Sequence, residues 1–196
     1  MTQKQIFFFL IMSAFLLLVP VTYNSYALPI HSAVDATDGS ISEWIGTPGP
    51  IDTWTTSGYE EIYTDPVGDE RTDLTDPDSN YDITEFRMTR DSTNLAFLIK
   101  FADITSNTLP YVNILLDIDH NSQDNSSSWI PPYGDTDIAN ATNYWEYCIE
   151  INFNDNVVVW NATDSSTTAG TSYIHVDEDW IECTVPLDNV SGSSIS

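Results

Sequence analysis

The feature that most constrains this chain is a period of two. Apolar and polar residues alternate in short runs, and Asp, Asn, Gly, Ser or Pro ends each run. No long segment holds a helical period. Side chains of a strand alternate between two faces, so such runs fold as half-buried strands of a sheet. ITEFRMTR puts Phe86 and Met88 on one face and Arg87 on the other. LAFLIKF puts Leu95, Phe97, Ile99 and Phe101 on one face, and the turn Asp91–Asn94 between the two runs predicts a hairpin. YVNILLDID aligns Val112, Ile114, Leu116 and Ile118, and YCIEINF aligns Tyr147, Ile149, Ile151 and Phe153. NVVVW follows the Asn154-Asp155 turn, and SYIHV and WIECTVPL come after it. Ser40–Ile45 reads as a first strand and Tyr59–Tyr63 as a second. About eight or nine strands, spaced by turn residues, predict an all-β, two-sheet antiparallel sandwich, jelly-roll-like in form.

The first 27 residues follow a different rule. A polar start with Lys4 precedes IFFFLIMSAFLLLVPV, too short to span a bilayer at ease and of the kind found in export signals. Ser25 and Ala27 are the small residues of a cleavage site, so residues 1–27 are expected to be a signal peptide. An uncleaved anchor is the other reading. Residues 28–196 form the expected single domain, without a further apolar run long enough to span a membrane. Four basic residues, Arg71, Arg87, Arg90 and Lys100, then face thirty acids, a formal charge of −26. Nucleic acids and anionic membrane surfaces attract cationic protein, so both are excluded as partners. Many of the acids gather in turns, a distribution that suits divalent cations better than salt adaptation.

Two acidic groups are candidate metal sites. In LLDIDHNSQDN, Asp117, Asp119 and Asn121 alternate, with Asp124 beyond them. Calcium takes six to eight oxygens, and alternate spacing lets one turning loop supply several. The EF-hand template requires Gly at its sixth position and Glu at its twelfth; Ser122 and Ser128 stand there, which removes that motif. Asp82, Glu146, Asp135 and Asp137 are candidates to complete the shell. The second group lies in DPVGDERTDLTDPDSNYD, where repeated carboxylates have few basic partners. Asx-turn capping and solvation are the alternatives for both groups.

Trp129, Tyr133, Tyr144 and Trp145 lie in or beside the long polar loop after His120, with Pro131 and Pro132. Flat aromatic faces on a stiff loop suit the C–H faces of sugar rings, or else cover a core edge. Trp44, Trp54, Trp160 and Trp180 lie on or near strands and read as packing residues. Cys148 and Cys183 are an expected disulfide in an exported chain, stabilising by about 3–4 kcal/mol. Two free thiols are the alternative, because Cys148 faces opposite to Ile149 while Cys183 shares parity with Ile181 and Val185. G-x-S-x-G, H-E-x-x-H and a Gly-rich phosphate loop are absent, and His31, His120 and His175 do not have a metal-ligand spacing. The chain is therefore expected to be non-catalytic, although its carboxylates leave a glycosidase open.

DGSISEWIG, DPVGD, YDITEFRMTRDSTNLAFLIKF, YVNILLDID and YCIEI together resemble the domain related to family 9 carbohydrate-binding modules, within the wider DOMON-like group. The resemblance runs from Asp38 to about Leu187 and extends to the C-terminal modules of secreted glucodextranases and amylopullulanases. It implies a β-sandwich, secreted or displayed at a cell surface. It implies binding of polysaccharide or surface glycan in some members and of calcium in several. Relatives usually add a strand after the segment matching WIECTVPL, so a domain truncated at its C-terminal end is expected. Some relatives bind haem through Met plus His or Lys, a role open here to Met88 with His175 or Lys100. The leading expectation is a carbohydrate-binding module with calcium-ordered loops. A structural or adhesive surface module is the alternative.

Overall fold

The computed structural model describes residues 31, 33–69, 82–107, 111–117, 145–152, 155–162 and 165–190. They contain ten strands: β1 Thr53–Ser57, β2 Glu60–Thr64, β3 Ile83–Arg90, β4 Asn94–Phe101, β5 Val112–Leu116, β6 Tyr147–Asn152, β7 Asn156–Asn161, β8 Thr167–Ala169, β9 Thr171–His175 and β10 Trp180–Pro186. They make a six-stranded sheet of order β1-β2-β3-β4-β10-β9 and a four-stranded sheet of order β5-β6-β7-β8. Every pairing is antiparallel. The all-β sandwich expected from the alternation is the fold.

The faces follow the sequence parity. Phe86, Phe97, Ile99 and Phe101 of the larger sheet meet Val112, Ile114, Leu116, Tyr147, Ile149 and Ile151 of the smaller. Ile181, Cys183 and Val185 of β10 join them. Phe97, Ile99 and Ile149 are wholly buried, and each such side chain contributes about 1.5–3 kcal/mol by leaving water. The β3–β4 hairpin forms because Asp91 closes its turn. Asp91 Oδ1 accepts the Thr93 and Asn94 N–H groups at 2.6 and 2.7 Å, and Asp91 N–H donates to Asn94 O at 3.0 Å.

The outer face of the six-stranded sheet is covered too. Val34 and Trp44 pack there on Ala96, Leu98 and Trp180. Beside this apolar patch lies a buried ionic network. Arg87 donates through Nε to Glu85 Oε1 at 2.8 Å, and through Nη1 to Glu60 Oε2 at 2.8 Å and to Gly46 O at 3.0 Å. Gly46 N–H returns a bond to Glu60 Oε1 at 2.7 Å, and Lys100 Nζ lies 3.0 Å from Glu85 Oε1. Burial pushes the Glu85 carboxyl up, but the bonds from Arg87 and Lys100 outweigh it and hold the group below its usual range.

Three expectations change. Ser40–Ile45 is not a strand. Trp44 N–H donates to Ile41 O, so Ile41 and Trp44, three apart, share one side and pack on the same outer patch. Second, β1 comes from the mostly polar TWTTS, an edge strand whose only large apolar residue is Trp54. Third, Cys148 and Cys183 are free. Cys183 points into the core between the sheets, whereas Cys148 alternates with Tyr147 and Ile149 and points away from it. A disulfide needs Cβ atoms about 4 Å apart, which opposite facing on different sheets prevents. The Cys148 thiol instead donates to Asn113 Oδ1 at 3.4 Å.

Candidate functional site

One row of aromatic side chains leads out of the core. The register aligns Ile99 with Phe86, Phe86 with Tyr63 and Tyr63 with Trp54, across β4, β3, β2 and β1. Ile99 and Phe86 are buried, Tyr63 is half-buried against the core, and Trp54 is 45% exposed. The inner face of the larger sheet thus emerges into solvent at its β1 edge. Trp54 lies 5.3 Å from the Tyr63 ring at a tilt of 42°, and 6.4 Å from Phe86 edge-on. These contacts fix a tryptophan face at the surface. The sequence reading placed Trp54 among packing residues; its position on an edge strand, beyond the covered part of the face, leaves it open instead.

Four aspartates gather at one end of the same strands. Asp52 immediately precedes β1 and Asp65 follows β2; Thr53 pairs with Thr64, so the register sets these ends side by side. Asp52 N–H donates to Thr64 O at 2.8 Å and Asp65 N–H to Thr84 O at 2.9 Å. Asp82, buried just before β3, accepts the Gly68 N–H on Oδ2 at 2.7 Å, which folds the Asp65-Pro66-Val67-Gly68-Asp69 turn back onto the sheet. Burial, then the charges of Asp69 and Asp52, push the Asp65 carboxyl up to about 6, against a hydrogen bond from Tyr63; Asp82 adds to the rise. The Tyr63 hydroxyl, which donates to Asp65, joins the aromatic row to the acidic end. A divalent cation would relieve this repulsion.

The predicted residues fall as follows. Asp82 belongs to this acidic end. Asp117 follows β5, and the register that pairs Leu116 with Tyr147 sets it across from Glu146. Glu146 is buried, and its N–H donates to Leu116 O at 2.9 Å. Asp119, Asn121, Asp124, Trp129, Tyr133 and Tyr144 lie outside the described residues, as do Asp135 and Asp137. Trp145 is 3% exposed, so its ring is not offered to solvent as a sugar platform. Its position beside β6 draws it into the protein.

Among the described residues, one set of three acidic side chains has ligand atoms within 4.8 Å of one another: Asp38, Glu43 and Glu182. Asp82, Asp117 and Glu146 are not in it. The sequence reading missed this set, because Glu182 stands in an alternating strand where parity alone predicts a solvated carboxylate.

The haem pairing does not fit. Met88 packs against the inner core, whereas Lys100 and His175 alternate with the inward Ile99 and Ile174 and so face the other side of the sheet. His175 stacks on Trp180 there at 4.9 Å. One iron cannot take ligands from opposite faces of a sheet. No helix among the described residues is long and apolar enough to cross a membrane.

No family model matches the chain, and no curated protein or solved structure is significantly similar to it.

Proposed function

We infer that this chain is a secreted, non-catalytic β-sandwich that binds a carbohydrate or a cell-surface polymer, with calcium ordering its acidic loops. The observation that carries the reading is the exposed Trp54 face, braced by Tyr63 and Phe86 and flanked by Asp52, Asp65, Asp69 and Asp82. An indole face stacks on the C–H face of a sugar ring, and neighbouring carboxylates accept hydrogen bonds from its hydroxyls. Because the ring is held by its neighbours before any ligand arrives, little side-chain freedom is lost on binding. Calcium at this end would need the Asp65–Asp69 turn to close on it, because no three of the four aspartates hold ligand atoms within 4.8 Å of one another. Export is supported by the apolar run and Ser25-Tyr26-Ala27 at the start of the chain.

Affinity electrophoresis through gels containing a panel of polysaccharides, with calcium or with chelator, tests the reading. Retardation on at least one polysaccharide is expected. Trp54→Ala should abolish it while leaving the melting temperature nearly unchanged, because the ring is at the edge of the core. A chain that none of the panel retards, in calcium or without it, is a structural or adhesive module instead.

A further inference from the structure

We propose that Asp38, Glu43 and Glu182 bind a hard divalent cation of the calcium class, which clasps the segment 33–46 to the outer face of the six-stranded sheet. This site is separate from the Trp54 face and stands whether or not the chain binds sugar.

Glu182 lies in the middle of β10, wholly buried, paired with Leu98 on one side and Tyr173 on the other. Its Oε1 accepts the Trp44 indole N–H at 2.5 Å. Its Oε2 is buried with no hydrogen-bond partner. A carboxylate taken out of water needs a compensating charge or a full set of donors. Among the described residues no ion pair reaches Glu182 and Trp44 is its one side-chain donor; Arg87 is committed to Glu60 and Glu85, and Lys100 to Glu85.

What converges on Glu182 is two more acids from the covering segment. Asp38 is exposed and Glu43 half-buried, and a carboxylate oxygen of each lies within 4.8 Å of the other and of Glu182. Their remaining bonds are light. Asp38 Oδ1 accepts the Ser40 N–H at 2.8 Å; Glu43 accepts the Asp35 N–H at 3.2 Å and the Ser42 hydroxyl at 3.5 Å. Three carboxyl groups held together by the fold, one with an orphaned buried oxygen, form the inside of a cation shell. All the donors are carboxylate oxygens, without imidazole or thiolate, which selects a hard ion over zinc or copper. Solvent at Asp38 would supply the remaining ligands as water. The cation would also explain how Trp44, the apolar anchor of a segment lacking strand structure, stays seated on the sheet.

The test uses the full chain, stripped with chelator and titrated with calcium, and then with terbium. Trp44 touches Glu182, so bound terbium should be sensitised by indole excitation. Calcium should raise the melting temperature and compete the terbium signal away. Asp38→Asn with Glu43→Gln, both outside the core, should weaken that competition at least tenfold and remove one equivalent of bound calcium. Asp65→Asn with Asp69→Asn should leave the terbium signal in place, which separates this site from the acidic end of β1 and β2. Glu182→Gln keeps an acceptor for Trp44 and should lose the site while folding. Unchanged calcium stoichiometry and terbium emission in the Asp38/Glu43 variant would overturn the proposal. So would a Glu182→Gln variant more stable than the parent with calcium present, the mark of a carboxyl that the fold simply keeps protonated.

Discussion

Arg87 and Glu60 meet at 2.8 Å on the covered face of the six-stranded sheet, and neither side chain exposes more than 6% of its area. Removing Arg87 leaves Glu60 wholly buried beside the Gly46 N–H and His31, whereas removing Glu60 leaves Arg87 still bonded to Glu85 and Gly46 O. Arg87→Met should therefore cost about 3–5 kcal/mol in urea unfolding, and Glu60→Leu less. Replacing both, with Arg87→Met and Glu60→Leu, should recover much of that loss, although Glu85 then keeps only Lys100. A double-mutant cycle measures the coupling. A value near zero would mean that the network is solvated after all.

The free thiols give a second prediction. Burial pushes both Cys148 and Cys183 well above the ordinary thiol range, so neither is a thiolate at neutral pH. An aromatic disulfide reagent should modify neither in the native chain and both in urea. Reductant should leave the melting temperature unchanged. A peptide map under non-reducing conditions that links position 148 to 183 would refute the assignment.

How much of this was legible beforehand depends on which face a residue takes. The inner face was legible because period two is its physical cause: Leu95, Phe97, Ile99 and Phe101 alternate, and so they pack together. The outer face was not. Arg87, Glu60 and Glu182 look solvated by the same parity that buries their neighbours, and what covers them is a segment without strand structure. Ser40–Ile45 reads as a strand in the sequence, but the spacing of three between Ile41 and Trp44 belongs to a turn. Of the candidate site, Asp82 and the Asp65–Asp69 turn could be read from the clustering of acids. Trp54 could not, since its exposure depends on which strand ends the sheet.

Asp91 predicts the acid limb of stability. Burial alone would raise its carboxyl, but the backbone N–H groups of Thr93 and Asn94, with the Thr93 and Asn94 side chains, hold it below the ordinary carboxylate range. A folded-state pKa below the unfolded value contributes stability that is fully present above the unfolded pKa, near 3.9. That stability is lost as pH falls through the folded pKa. Asp91→Asn keeps the Oδ1 acceptor and should remove this part of the acid dependence with a modest loss at pH 7. Asp91→Ala strands the Thr93 and Asn94 donors and should cost about 1–3 kcal/mol at pH 7. Chemical unfolding of the three proteins at pH 3 and pH 7 checks both statements; parallel losses at the two pH values would contradict them.

Gly46 makes the sharpest test of how the covering segment is held. A Cβ there would sit 2.5 Å from Ser57 O, 2.7 Å from Ile62 Cδ1 and 2.8 Å from Glu60 Oε2. The two side-chain ends can yield, but the Ser57 carbonyl belongs to the last residue of β1. The segment must therefore move, and its movement breaks the Gly46 N–H bond to Glu60 and the Arg87 bond to Gly46 O. Gly46→Ala should cost about 1–3 kcal/mol from overpacking, with the lost bonds adding to it. Gly68→Ala is the contrast. Its φ of +87° strains any side chain, yet no atom lies within 4 Å of the new Cβ, so its cost of about 1–2 kcal/mol is conformational and local. Amide hydrogen exchange separates the two: Gly46→Ala should speed exchange at Trp44 and Gly46, and Gly68→Ala should not. Equal exchange at Trp44 in both variants would mean that the segment does not depend on its close approach to the sheet.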